Sequence, residues 1–136
     1  MKMDVNRTGI PSNRTWSKVG YSRAIRVGNL IEVAGTSSSG PDGQILHPGD
    51  MYKQAKEVIA IIESAVRDLG GRAEDIVRTR IFLTNISQWE EAGRAHGEAF
   101  AQMSVPPVSA IYGISALLHP DLLIEVEATA IVGDHL

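Results

Sequence analysis

The 136-residue chain contains no cysteine. That excludes a disulfide framework, a thiolate zinc site, an iron–sulfur cluster and a cysteine nucleophile. Aromatic residues make up only 5%, and no stacking platform of the kind RNA binders use is visible among them. Neither sign of charge dominates: 13 Lys and Arg against 16 Asp and Glu leave a formal −3. A duplex nucleic acid or an anionic membrane would gain little from such a field. No apolar run approaches the roughly 18 residues of a membrane span, and Met1-Lys2-Met3-Asp4-Val5-Asn6-Arg7 lacks the apolar core of a secretory signal. The chain therefore reads as cytoplasmic, with no membrane partner and no nucleic-acid partner expected.

Two further chemistries are missing. The glycines from Gly35 to Gly43 are not followed by the Lys that a phosphate-cradling loop needs. The four histidines are scattered, none within three to five residues of another, so no metal site is expected. No cofactor is implied.

What is present is globular composition, 43% hydrophobic and 21% charged. The length suits one domain: residues 1–20, polar and with turn formers such as Pro11-Ser12, read as a loosely held leader, and 21–136 as the domain. Ala24-Ile25-Arg26-Val27 and Leu30-Ile31-Glu32-Val33-Ala34 flank Gly28-Asn29, a hairpin signature. After a Ser/Gly/Pro-rich loop, in which only Gln44-Ile45-Leu46 suits a short strand, Asp50 is a candidate N-cap. Ala55, Val58, Ile59, Ile62, Ala65, Val66 and Leu69 then recur on one face of a helix over about 51–69, stopped by Gly70-Gly71. A strand follows over Ile76 to Thr84, with Val77, Thr79, Ile81 and Leu83 alternating with Arg78, Arg80 and Phe82. Ser87 and Glu90 have the spacing of a capping box for a second helix. Beyond Pro106-Pro107, Ala110–Ile114 and Leu123–Val132 read as strands. This order predicts an α+β fold, with both helices on one face of a mixed sheet.

Strand parity places Arg78 with Arg80 and Glu125 with Glu127, and sets Arg26 opposite Ile25 and Val27. If the aliphatics face the helices, these charges line the other side, as a solvated surface, an interface or a polar cleft. Glu125 and Glu127 point the same way, so their repulsion needs cations or donors nearby. They form either a structural ion-pair lattice or a site in which one glutamate holds a proton or a water. Tyr21 is a packing residue or a hydroxyl over a cleft. His96, among Trp89, Ala92, Ala99 and Phe100, reads as a hydrogen-bonded helix histidine. His119, before Pro120, is a loop histidine that could titrate near neutrality.

Tyr21-Ser22-Arg23-Ala24-Ile25-Arg26-Val27-Gly28-Asn29, Val33-Ala34-Gly35-Thr36, Asp75–Thr84 and Ile124-Glu125-Val126-Glu127-Ala128 resemble, in order, the blocks of the RidA/YjgF family, also labelled endoribonuclease L-PSP. The resemblance covers about residues 20–132. It implies a chorismate-mutase-like fold assembled as a homotrimer, with small-molecule clefts between neighbouring subunits. In the family's imine deaminases, a cleft arginine pairs with the carboxylate of a 2-imino acid, and a glutamate on the last strand orders the attacking water. By that resemblance Glu125 is the catalytic glutamate, Tyr21 the cleft tyrosine, and Gly35 the glycine whose backbone lies beside the ligand.

The arginine is missing. Val108, followed by Ser109, stands in its place, and no Lys or Arg occurs after Arg94. A lost charge-assisted hydrogen bond of this kind costs on the order of 1.5–3 kcal/mol, which weakens the case for a 2-imino acid ligand. The candidate substrate-binding set is thus Tyr21, Gly35, Val108, Ser109 and His119. The functions implied are imine or enamine hydrolysis through a glutamate-held water, a metabolite-binding or regulatory trimer without catalysis, and, ranked last, the RNA cleavage of the family label.

Overall fold

The computed structural model describes residues 6–12 and 18–133. Six strands form one sheet in the order β1-β2-β3-β6-β4-β5: β1 Arg7–Pro11, β2 Ser22–Val27, β3 Leu30–Ser37, β4 Ile76–Leu83, β5 Val108–Gly113 and β6 Ile124–Ile131. Helix α1 (Met51–Asp68) links β3 to β4, and α2 (Trp89–Phe100) links β4 to β5. All neighbouring strands are antiparallel except β4 and β5. Since β3 and β4 both run antiparallel to β6, they are parallel to each other. Both helices are therefore crossovers between parallel strands, stepping the same way across the sheet. The right-handedness of such connections puts both on the same face.

Local chemistry sets the ends of α1. The Asp50 carboxylate accepts from Lys53 N at 2.9 Å, as expected of an N-cap. At the other end Gly71 N donates to Val66 O and Gly70 N to Arg67 O, each at 2.9 Å, with Gly70 at φ +90°. This pair of bonds is a Schellman motif. The hairpin turn has Gly28 at φ +60°, while Asn29 keeps a negative φ, the pattern of a turn with glycine at its first central position.

The helices cover Ile31, Val33, Ile81, Leu83, Ile124, Val126, Ala128 and Ala130 with Val58, Ile62, Val66, Ala92, Ala95 and Phe100, all buried. One buried polar side chain, Gln54, bonds fully within this layer. Its amide donates to His47 O (3.2 Å) and Asp121 O (2.9 Å) and accepts from Leu123 N (2.9 Å). The segment leading into β6 is thereby tied to the first turn of α1.

Five sequence expectations are corrected. Residues 7–11 of the supposed leader form β1, paired with β2; Pro11 is compatible because β1 is an edge strand, where a missing N–H costs no ladder bond. Gln44-Ile45-Leu46 contributes only a single bridge, Ser39 to Ile45. Ser87 does not cap α2: the Asn85 carboxamide accepts from Ser87 N and Oγ, starting a short 3-10 turn over 86–88 that runs into the helix. A bulge between Ile76 and Arg78 buries Ile76 and leaves Val77 exposed. Arg26 lies on the helix side of the sheet, where its guanidinium donates to Leu69 O (2.8 Å) and Gly28 O (2.9 Å). The carbonyls at the C-terminus of α1 need donors and favour a cation there, so a charged residue occupies the covered face.

Candidate functional site

The face without helices carries the chemistry. Pairing places its residues in rows across the strands. One row runs Glu125 (β6), Phe82 (β4), Tyr112 (β5). A second runs Glu127, Arg80, Ala110, and a third Ile25, Glu32, Thr129, Arg78, Val108. At the far end Val27, Leu30 and Ile131 stand in register, with Val77 beside them, each 40–50% exposed. The parity expectation for Arg78, Arg80, Glu125 and Glu127 therefore holds.

Within the charged rows, Arg80 Nη1 lies 3.8 Å from Glu127 Oε1, and Thr129 Oγ1 donates to Glu32 Oε1 at 2.6 Å. Acid and base alternate across this surface, so it forms no basic stripe of the kind that follows a phosphate backbone. Its broad depression, about 460 Å³, is lined by Arg7, Tyr21, Ile25, Glu32, Arg80 and Glu127 among others.

Beside it is a much smaller recess, about 20 Å³, lined by Ser12, Tyr21, Arg23, Ala34, Gly35 and Thr36. Tyr21 belongs to both depressions, and its hydroxyl accepts from Ser12 Oγ at 3.1 Å. Here β3 bulges against β6 between Val33 and Thr36, and the Glu125 carboxylate comes down onto the backbone. A Cβ on Gly35 would stand 2.7 Å from Glu125 Oε2. Glycine leaves room for this close approach rather than supplying a special backbone conformation, since its φ is not in the left-handed region.

Three of the six candidate residues, Tyr21, Gly35 and Glu125, are thus brought together. The other three lie elsewhere. Val108 is on the open face and exposed, but its register partner Arg78 is four residues from Glu125's partner Phe82, with β4 lying between β5 and β6. Strand geometry separates Val108 from Glu125 by about 16 Å. The Ser109 side chain, by contrast, turns to the covered face. Thr79 Oγ1 donates to Ser109 Oγ at 2.7 Å and lies 2.8 Å from His96 Nε2. Since the threonine proton goes to Ser109, His96 must donate through Nε2. Burial pushes the imidazole pKa down, favouring the neutral ring. His96 therefore has the structural role expected of it. His119 sits in the loop before β6, where its Nδ1 accepts from Asp121 N at 3.0 Å, and it lines neither depression.

Sequence reasoning did not single out Arg7 or the Phe82–Tyr112 pair. Those rings stack with centroids 5.7 Å apart at 25°. Alternation alone placed Phe82 with Arg78 and Arg80, but its neighbour Tyr112 depends on the parallel register of β5. Among the described residues no three His, Asp or Glu side chains gather in a way that could hold a metal. No helix there is long and apolar enough to cross a membrane.

The family model for Endoribonuclease L-PSP matches residues 12–132. The chain belongs to this family. Its membership of the RidA/YjgF group is borne out by individual relatives. A RutC family protein of Pyrococcus abyssi is 32% identical over 110 residues, 81% of this chain and 84% of that one. An uncharacterized protein of Streptomyces coelicolor is 30% identical over 125 residues, 91% of each chain. Among solved structures, a Mycobacterium tuberculosis member of the YjgF/YER057c/UK114 family shares 41% identity at a TM-score of 0.81, covering 93% of this chain and 99% of that one. The mixed sheet with two helices on one face is the L-PSP fold.

Proposed function

We propose that this L-PSP family chain assembles as a homotrimer through its open sheet face. Each cleft between neighbouring copies holds a small molecule, and Glu125 orders a water that hydrolyses an imine there. The observation that carries this reading is the approach of Glu125 to Gly35. It places a carboxylate against bare backbone, next to the recess that Gly35 and Tyr21 line.

In the reaction the carboxylate accepts a proton as the water oxygen adds to the imine carbon. The nitrogen of the resulting carbinolamine is protonated, the C–N bond breaks, and a carbonyl compound and ammonia leave. Two features support a site completed by a second copy. Val108 lies too far from Glu125 to share a small ligand within one chain, and the exposed apolar row Val27, Leu30, Ile131 and Val77 calls for a partner surface.

The test is light scattering on the purified protein, followed by an assay on 2-iminobutanoate generated in situ by a threonine dehydratase and on imines lacking a carboxylate. A trimer is expected, with imine loss faster than in free solution and abolished by Glu125→Gln. A monomer, or full activity in Glu125→Gln, overturns the reading. Val108 favours one alternative, a trimer that binds a metabolite without turning it over, because an aliphatic side chain stands where the resemblance expects the guanidinium for a substrate carboxylate. Saturable binding with no turnover of any imine would select it.

A further inference from the structure

The broad depression on the open face has four charged side chains in its lining, and Glu125 is not among them. Its two carboxylates stand on neighbouring strands. Glu32 of β3 is in register with Thr129, and Glu127 lies two residues along β6, so the two are diagonal neighbours about 7 Å apart. Like charges so placed repel each other. Thr129 relieves Glu32 with one hydrogen bond at 2.6 Å, while Arg80 stays 3.8 Å from Glu127, beyond hydrogen-bond reach. Each carboxylate therefore keeps acceptor capacity. Arg7 reaches the same depression from the edge strand β1, and among the described residues its guanidinium has no partner. Arg7 and Glu32 are two strands and two residues apart in register, about 12 Å between Cα atoms. Between them lies Ile25, in register with Glu32 on one side and with Gly9 on the other, so no β1 side chain covers it.

We infer that this depression is a second small-molecule site, distinct from the recess at Gly35. It takes a zwitterion whose charges sit at opposite ends of an aliphatic chain. The ammonium lies between Glu32 and Glu127, the chain crosses Ile25, and the carboxylate meets Arg7. Charge complementarity selects this class. A plain anion would meet two carboxylates, and a plain cation would leave Arg7 without a partner. An ammonium has three donors and can serve two carboxylates at once, and a guanidinium matches a carboxylate with two parallel bonds. An α-amino acid carries both charges on one carbon and reaches only one end. The volume of about 460 Å³ falls within the usual range of small-molecule sites.

5-Aminopentanoate is the probe of this chemistry. Pentanoate lacks its ammonium, pentylamine lacks its carboxylate, and norvaline is its isomer with both charges on one carbon. Calorimetric titration of the full-length chain is expected to show saturable binding of 5-aminopentanoate, about tenfold tighter than any of the three. Arg7→Met should bring 5-aminopentanoate down to the affinity of pentylamine and leave pentylamine unchanged. Glu32→Gln, which still accepts from Thr129, should weaken both amines. Arg7 and Glu32 are exposed, and circular dichroism checks that the variants stay folded. No saturable binding of 5-aminopentanoate, equal or tighter binding of norvaline, or no effect of Arg7→Met overturns the inference.

The hydrolysis reading fails or stands separately. Since Glu125 does not line the depression, Glu125→Gln should leave 5-aminopentanoate binding unchanged. If Glu125→Gln abolishes that binding and Arg7→Met does not, the probe occupies the recess at Gly35 and the second site falls. If binding depends on Arg7 but no imine is turned over, the second site stands and catalysis falls.

Discussion

The chain's two phenylalanines lie on opposite faces of one sheet, and they show how differently the faces are built. Phe100, 2% exposed at the end of α2, packs against His96 in the helix-covered core. Phe82 lies half-buried on the open face, one strand from Glu125 and stacked on an exposed Tyr112. The covered face is closed in a single copy: its apolar groups are buried together, and Gln54, Thr79 and Arg26 find partners within the chain. The open face has alternating charges, a row of exposed aliphatics and a carboxylate lying on a bare glycine. In the proposed trimer its residues serve contacts that one copy does not make. On that proposal stability and function are largely separated by the plane of the sheet, and substitutions on the two sides should be read by different measurements.

The strongest break of this comparison comes from truncating each phenylalanine. Phe100→Ala removes a fully buried ring and should lower unfolding free energy in urea by about 3–5 kcal/mol. Phe82→Ala should cost clearly less in the isolated chain, because its ring is only partly withdrawn from water. Its effect should appear instead in self-association, as a shift of light-scattering mass towards smaller species on dilution. If the two variants lose equal stability and neither changes association, the open face is simply a second core surface.

Gly35→Ala separates the faces more finely. The clashing atom, Glu125 Oε2, is the tip of a flexible side chain, so the carboxylate can swing away and the expected loss of stability is under about 1.5 kcal/mol. The function should suffer far more. Any activity that depends on Glu125 is expected to fall at least about tenfold, since a displacement of about 1 Å at a reacting group is enough for that. Unchanged activity with unchanged stability would show that the close approach has no part in the site.

Much of this division was legible from the sequence, for reasons that can be traced to particular residues. β6 alternates without interruption from Ile124 to Ile131, so the placement of Glu125 and Glu127 followed from parity alone. Parity failed where the register was broken or a helix end made its own demand. The bulge at Val77 reverses the inside and outside of one residue, and Arg26 is drawn under the sheet by the carbonyls that end α1. The pairings of β5 with β4 are also non-local. They alone separate Val108 from Glu125, turn Ser109 towards Thr79 and bring Tyr112 beside Phe82. Family resemblance supplied the names of the site residues, but which of them share a neighbourhood depends on strand order.

The smallest expected effect tests whether the covered face is as independent of the open one as this implies. His96 is held partly buried against Phe100 and donates to Thr79, and burial lowers its pKa from the ordinary value of 6.5. The unfolded chain therefore binds this proton more readily than the folded one. The stabilisation associated with the neutral ring is present in full above the unfolded pKa and is lost as pH falls through the folded value. Unfolding free energy should decline below about pH 6.5 with a slope well under the single-proton ceiling of about 1.4 kcal/mol per pH unit. His96→Gln, which can still donate to Thr79 without titrating, should flatten that part of the profile. Glu125-dependent activity, normalised to folded protein, should keep the same pH profile in both, because His96 bonds Thr79 on the covered face while the carboxylate lies against Gly35 on the other side of the sheet. A shifted activity profile in His96→Gln would mean that the Thr79–Ser109 chain carries information through β5 to the open face, and the separation of the two faces would fail there.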